Sequence, residues 1–166
     1  MTSGRGEHYA AMWGLRLMSS MIPRALVIED DRSHILSAQV LLEAVGFAPV
    51  EVADTLQAGA DRLYTLLDST QPFAPTLVLL DIKLPVPQCP GLEGIVLAAQ
   101  AIEAMEAGRL HPAHLVILSS VVTDRRRRDA ELAGCSEIHD KSLKLSLAQH
   151  LRALVDTPRP CHRLWR

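Results

Sequence analysis

No apolar stretch in this chain approaches about 18 residues, and the opening MTSGRGEHYAAMWGLRLMSSM places polar groups and Arg16 where a signal peptide needs an unbroken apolar core. The expectation is a protein that is neither exported nor membrane-spanning. Cysteine is sparse: Cys89, Cys135 and Cys161 are odd in number, widely spaced and without a CxxC pair, which excludes a disulfide framework or a zinc knuckle. A reducing cytoplasm is the simplest compartment. Net charge is small as well, −2 at neutral pH, so no global field draws in nucleic acid or an anionic membrane. Partners must be recognised locally. Low-complexity tracts and signs of a second domain are also missing. With 166 residues and 48% hydrophobic content, the chain suits one domain with one sizeable core.

What is present is an alternation. ALVIE (25–29) precedes SHILSAQVLLEAVG, whose apolar spacing is helical and whose Gly46 is a stop signal. The same strand-then-helix pattern recurs as PVEVA and TLQAGADRLYTLLDS, TLVLLD and GLEGIVLAAQAIEAMEAG, HLVILSS and TDRRRRDAELAG, SEIHD and LSLAQHLRALVD. Parallel strands cannot be joined by tight turns, so five βα units predict an α/β, doubly wound parallel sheet covered on both faces. ALVIE, TLVLLD and HLVILSS are continuously apolar, as central strands should be, whereas PVEVA and SEIHD carry charge and read as edges. The expected organisation is an irregular extension over 1–23, the domain over 24–156 and a tail over 157–166.

In such sheets ligands bind beyond the carboxyl ends of the strands. Here those ends are polar. The first strand runs into Glu29-Asp30-Asp31, the third into Asp81, the fourth into Ser119-Ser120, and the fifth through Asp140 into Lys141. Clustered carboxylates repel one another unless a cation neutralises them, and a hard divalent ion such as Mg2+ is the natural partner for oxygen donors. Ser119 and Lys141 then offer a hydroxyl and an ammonium to a phosphoryl group, and Asp81 is placed as metal ligand and nucleophile for an acyl phosphate.

On these residues the sequence resembles the receiver domain of bacterial two-component response regulators over roughly 24–156. VIEDD resembles the family's acidic pair with Glu29 and Asp30 in its places and Asp31 just outside, LVLLDIKLP its phosphoacceptor strand, VILSS its hydroxyl strand, and DKS its lysine. The resemblance implies a flavodoxin-like (βα)5 fold with strand order 2-1-3-4-5, and Asp81 as phosphoacceptor. Mg2+ would be bound by Glu29, Asp30, Asp81 and the backbone carbonyl of Lys83, with Ser119 and Lys141 on the phosphoryl oxygens. It also implies a single-domain response regulator, not an enzyme on other substrates, that takes its phosphoryl group from a histidine kinase, phosphotransfer protein or small phosphodonor. The implied output is altered protein–protein interaction through the 114–156 face, without direct DNA or membrane binding and with a homodimer left open. A degenerate receiver acting only as an interaction module is the alternative.

Several features depart from that family's pattern. Lys141 is followed by Ser142 where proline is usual, Ile138 stands where a switch aromatic is common, and the loop after Asp81 is two residues long of the norm before Gly91. Pro85, Pro87 and Pro90 should stiffen that loop, and Lys83 is placed to pair with Glu29. An aspartyl-phosphate hydrolase is disfavoured because Asp30 is followed by Asp31 and Arg32 rather than forming DxD; a flavodoxin-like small-ligand domain stays behind the receiver reading. Consecutive residues of the Arg125–Arg128 run point about 100° apart on a helix and make no nucleic-acid stripe, so a solvated helix start is expected. His111 and His114 precede a strand and are not expected to bind metal as HxxH.

Overall fold

The computed structural model describes residues 23–156 except 73, 85–90, 136 and 143. The terminal extension, the tail and the prolines of the 85–90 loop lie outside the described residues. Strands and helices alternate as β1 (Arg24–Ile28), α1 (Arg32–Val45), β2 (Val50–Ala53), α2 (Leu56–Leu67), β3 (Thr76–Asp81), α3 (Glu93–Glu106), β4 (His114–Ser119), α4 (Asp124–Leu132), β5 (Ile138–Asp140) and α5 (Lys144–Asp156). The strands form one parallel sheet in the order β2-β1-β3-β4-β5. This is the expected flavodoxin-like order, with β2 and β5 on the edges. Glu29 and Ser120 fall just outside the strands expected to include them, and β5 keeps only three residues.

Alternation along the strands divides the core. Leu26, Ile28, Val78, Leu80 and Ile117 face α2 and α3, while Ala25, Val27, Leu79, Val116 and Leu118 face α1 and α5. Every residue of β3 is buried, because a central parallel strand has helices on both faces. Each fully buried Leu or Ile contributes roughly 2 kcal/mol of transfer free energy. Leu97, Ala98, Ala101 and Met105 confirm that the Leu and Ala periodicity of α3 is core packing.

Polar residues set the helix limits. Asp31 caps α1 by accepting from the backbone N–H groups of Ser33 and His34, and Gly46 ends it in the left-handed region at φ 108°, where L side chains are strained. Thr55 and Thr123 cap α2 and α4 through their hydroxyls. Behind α4, Cys135 is buried with its thiol directed at the Leu115 carbonyl, and burial pushes its pKa up to about 12. Among the described residues no helix is long and apolar enough to cross a membrane.

Candidate functional site

Strand order reverses between β1 and β3, and the acidic residues end on that crevice. Register brings them level: Ile28 pairs with Leu80, Asp81 with Leu118, and Ser119 with Asp140. Glu29 and Asp30 leave β1, Asp81 closes β3, and Lys141 follows β5. Helix α3 starts directly over the end of β3. Gly94 donates its N–H to the Ile82 carbonyl at 3.1 Å, and a Cβ at Gly94 would overlap the Asp81 carbonyl oxygen. Only glycine permits this approach, which fixes the backbone that carries Asp81.

Lys141 is the electrostatic centre. Its Nζ lies 2.6 Å from Glu29 Oε2 and 3.0 Å from Asp81 Oδ2, with all three side chains largely buried. Burial raises the Glu29 pKa, Lys141 opposes it, and the neighbouring Asp81 charge adds to the rise. For Lys141, burial favours the neutral amine, but hydrogen bonds to Glu29 and Asp81 outweigh it and hold the pKa above the ordinary lysine range. Ligand oxygens of Glu29, Asp30 and Asp81 lie within 4.8 Å of one another, with Asp30 exposed at the mouth. An all-oxygen, anionic set that already gathers the chain's own ammonium fits Mg2+. Asp31 is turned away from this set into its capping role, which lowers its pKa to about 2, chiefly through the Ser33 hydroxyl.

Ser119 is buried on the same rim but engaged elsewhere. Its hydroxyl donates to the Val121 carbonyl at 2.8 Å and accepts from Arg126 Nη1 at 2.8 Å. Arg126 also donates to the Val121 carbonyl at 2.6 Å. The remaining arginines of the run, Arg125, Arg127 and Arg128, are exposed, as a solvated helix start requires. Arg126 is therefore the site residue that sequence reasoning missed. Its position three residues after the Thr123 cap puts it on the turn facing the end of β4, a signal that the run of identical neighbours conceals.

Solved structures with a similar architecture include response-regulator receivers. A response regulator from Thermotoga maritima superimposes with a TM-score of 0.61 at 19% identity, covering 82% of this chain and 100% of that one. The receiver domain protein (CheY-like) from Methanospirillum hungatei JF-1 gives 0.61 at 23% identity, covering 81% and 94%. This chain has the receiver fold. A chain of the CheX–CheY–BeF3–Mg2+ complex from Borrelia burgdorferi gives 0.64 at 15% identity, covering 82% and 90%. No protein-family model and no curated protein matches the sequence.

Within the receiver fold, the departures noted in the sequence have local explanations. Ser142 donates its N–H and its hydroxyl to Asp140 Oδ1 at 2.8 and 2.7 Å, closing a side-chain turn where proline is usual. Lys141 N–H donates to the Ser119 carbonyl at 2.9 Å, so the lysine is positioned by the β4–β5 ladder and this turn. Ile138 is buried in the core, so an aromatic rotamer cannot report on Ser119. Lys83 is corrected: the pairing with Glu29 is made by Lys141, and the exposed Lys83 lays its methylene stem beside Gly91.

Proposed function

We propose that this chain is a phosphorylatable receiver in which Asp81 accepts a phosphoryl group and the altered rim changes the surface offered to a protein partner. The observation that carries this reading is the Asp81 carboxylate, held at the end of a fully buried strand beside Lys141 and the Glu29–Asp30 pair. An Asp81 oxygen attacks phosphorus; the new P–O bond forms an acyl phosphate as the P–N bond of a phosphohistidine, or the P–O bond of acetyl phosphate, breaks. The departing imidazole or acetate carries away the electron pair of that bond. Glu29, Asp30, Asp81 and the Lys83 carbonyl are the groups that would hold Mg2+. The ion, when bound, supplies charge neutralisation for the phosphoryl oxygens.

Lys141 follows the phosphoryl oxygens as a point charge, and Ser119 turns its hydroxyl from Val121 toward them. That turn releases Arg126 and loosens the join between β4 and α4. Exposed Val121 beside this join, Leu132 at the far end of α4 and Leu145 on α5 support the 114–156 face as the docking surface. The chain acts on itself alone, in the cytoplasm, and takes its phosphoryl group from a histidine kinase or phosphotransfer protein. The alternative, an interaction module without phosphorylation, is favoured by the engaged state of Ser119.

Incubation with acetyl phosphate and Mg2+, followed by intact-mass measurement, separates the two. Mass should rise by one phosphoryl group in the wild type and stay constant in Asp81→Asn. A wild-type chain that gains no phosphoryl mass, or gains it equally in Asp81→Asn, ends the phosphoreceiver reading.

A further inference from the structure

At the other end of the sheet from the acidic rim, three elements bring together groups far apart in sequence. His114 opens β4, Glu137 stands just before β5, and His150 lies two turns into α5. Both imidazoles aim Nε2 at one carboxylate oxygen: His114 Nε2 is 2.8 Å and His150 Nε2 is 2.6 Å from Glu137 Oε2. The three ligand atoms lie within 4.8 Å of one another, and the three side chains are 20–26% exposed, shielded but reachable. Glu137 is held from behind as well, since its carbonyl accepts from Ile117 N–H at 2.9 Å. The His139 ring lies 4.7 Å from the His150 ring, centroid to centroid, and restricts its rotation.

We propose that His114, Glu137 and His150 form a binding site for a borderline transition-metal dication of the Zn2+ class. Two imidazoles and one carboxylate, with water in the fourth position, are a donor set suited to Zn2+ and ill suited to Mg2+. Ligand atoms in a tetrahedral site with bonds near 2.0–2.1 Å stand about 3.3 Å apart. From 2.8 and 2.6 Å, the two imidazole–carboxylate separations need to open by about 0.5 to 0.7 Å, within the reach of side-chain torsions. On binding, any proton on Nε2 leaves, to Nδ1 or to solvent, so that the Nε2 lone pair meets the metal; the carboxylate exchanges its imidazole contacts for one metal bond. A cation close enough to act on the adjacent His139 is Arg127, whose charge would oppose the ion. Occupied, the site ties the start of β4 and the edge strand β5 to α5. It is independent of phosphorylation at Asp81.

The site is not the HxxH pair: His111 hydrogen-bonds the Gln71 carbonyl at 2.6 Å, and only His114 of the pair belongs to the cluster. His114 has other partners, 23 and 36 positions along the chain, which no local motif connects.

The test is titration of the full chain with Co2+ under saturating Mg2+, which occupies the acidic rim, followed by displacement with Zn2+. One Co2+ per chain is expected, with the visible absorption of a tetrahedral or five-coordinate site and micromolar or tighter affinity. Glu137→Gln and His150→Gln should each weaken binding at least about tenfold, and Asp81→Asn should leave it unchanged. Absence of Co2+ uptake, or wild-type affinity in both variants, overturns the proposal. Nitrogen-15 spectra of the wild-type imidazoles decide the matter without any variant. Zn2+ should shift Nε2 of His114 and His150, and shifts confined to other histidines overturn it.

Discussion

Helix α3 buries Ile95, Leu97, Ala98, Ala101, Ile102 and Met105 against the sheet, whereas α4, which flanks the same rim, buries Ala130 alone among its residues. The contrast extends to the side chains each helix serves. Asp81 sits on backbone clamped by Gly94 of α3, while Ser119 is tied to α4 through the Arg126 guanidinium and to the intervening loop through the Val121 carbonyl. One side of the rim is held by packing, which resists gradual deformation, and the other by polar contacts that can be exchanged one for another. The proposed function needs this asymmetry: Asp81, as the proposed nucleophile, must stay in place while the Ser119 hydroxyl moves.

The contrast can be broken from either side. Gly94→Val is expected to have the largest effect, a loss of about 3 kcal/mol, because the new side chain overlaps backbone that cannot yield. Urea unfolding measures it; a loss below about 1 kcal/mol would show that the packed side is softer than described. Next comes Lys141→Met, expected to cost about 2 kcal/mol by leaving Glu29 and Asp81 without their shared cation. The same variant should lose most acetyl-phosphate-driven modification, and retained modification would remove Lys141 from the chemistry.

On the exchangeable side, Arg126→Ala should change stability by less than about 0.5 kcal/mol, yet raise the rate of modification at Asp81 severalfold by freeing Ser119. An unchanged rate, measured by quenched mass spectrometry, would mean that the Arg126 contact is not a restraint. The smallest expected effect is on Asp140, whose pKa is lowered from 3.8 chiefly by the Ser142 hydroxyl. A lowered acid favours the fold above its ordinary value and ceases to do so as pH falls through its folded-state value. Ser142→Ala should move the Asp140 pKa back toward 3.8 in a carboxyl NMR titration, without displacing Lys141. An unmoved titration would assign the turn to the backbone alone.

The fold was legible because burial on both faces leaves a simple trace: β1, β3 and β4 are uninterrupted apolar runs, and each ends where the sheet meets water. Glu29, Asp30, Asp81 and Lys141 were legible for the same reason, since their positions follow from strand ends alone. Side-chain reach was not. Arg126 spans one helical turn and a loop to touch Ser119, and four successive arginines look alike until the Thr123 cap sets their phase. The Lys83 ammonium does not reach Glu29, because proximity in sequence to Asp81 says nothing of which way the stem runs. The His114–Glu137–His150 cluster needs the β4–β5 pairing and the return of α5, so it exists only in three dimensions.

Cys135 turns these differences into something a bench chemist can time. Its thiol, at 1% exposure and with burial pushing its pKa up to about 12, is both shielded from solvent and held in the unreactive thiol form. Labelling there must wait for the corner between α4 and β5 to part, so the rate at which an alkylating agent consumes Cys135 becomes a built-in clock for that opening. Run with and without a phosphodonor, the clock would read directly how far a charge placed on Asp81 is felt along the back of α4.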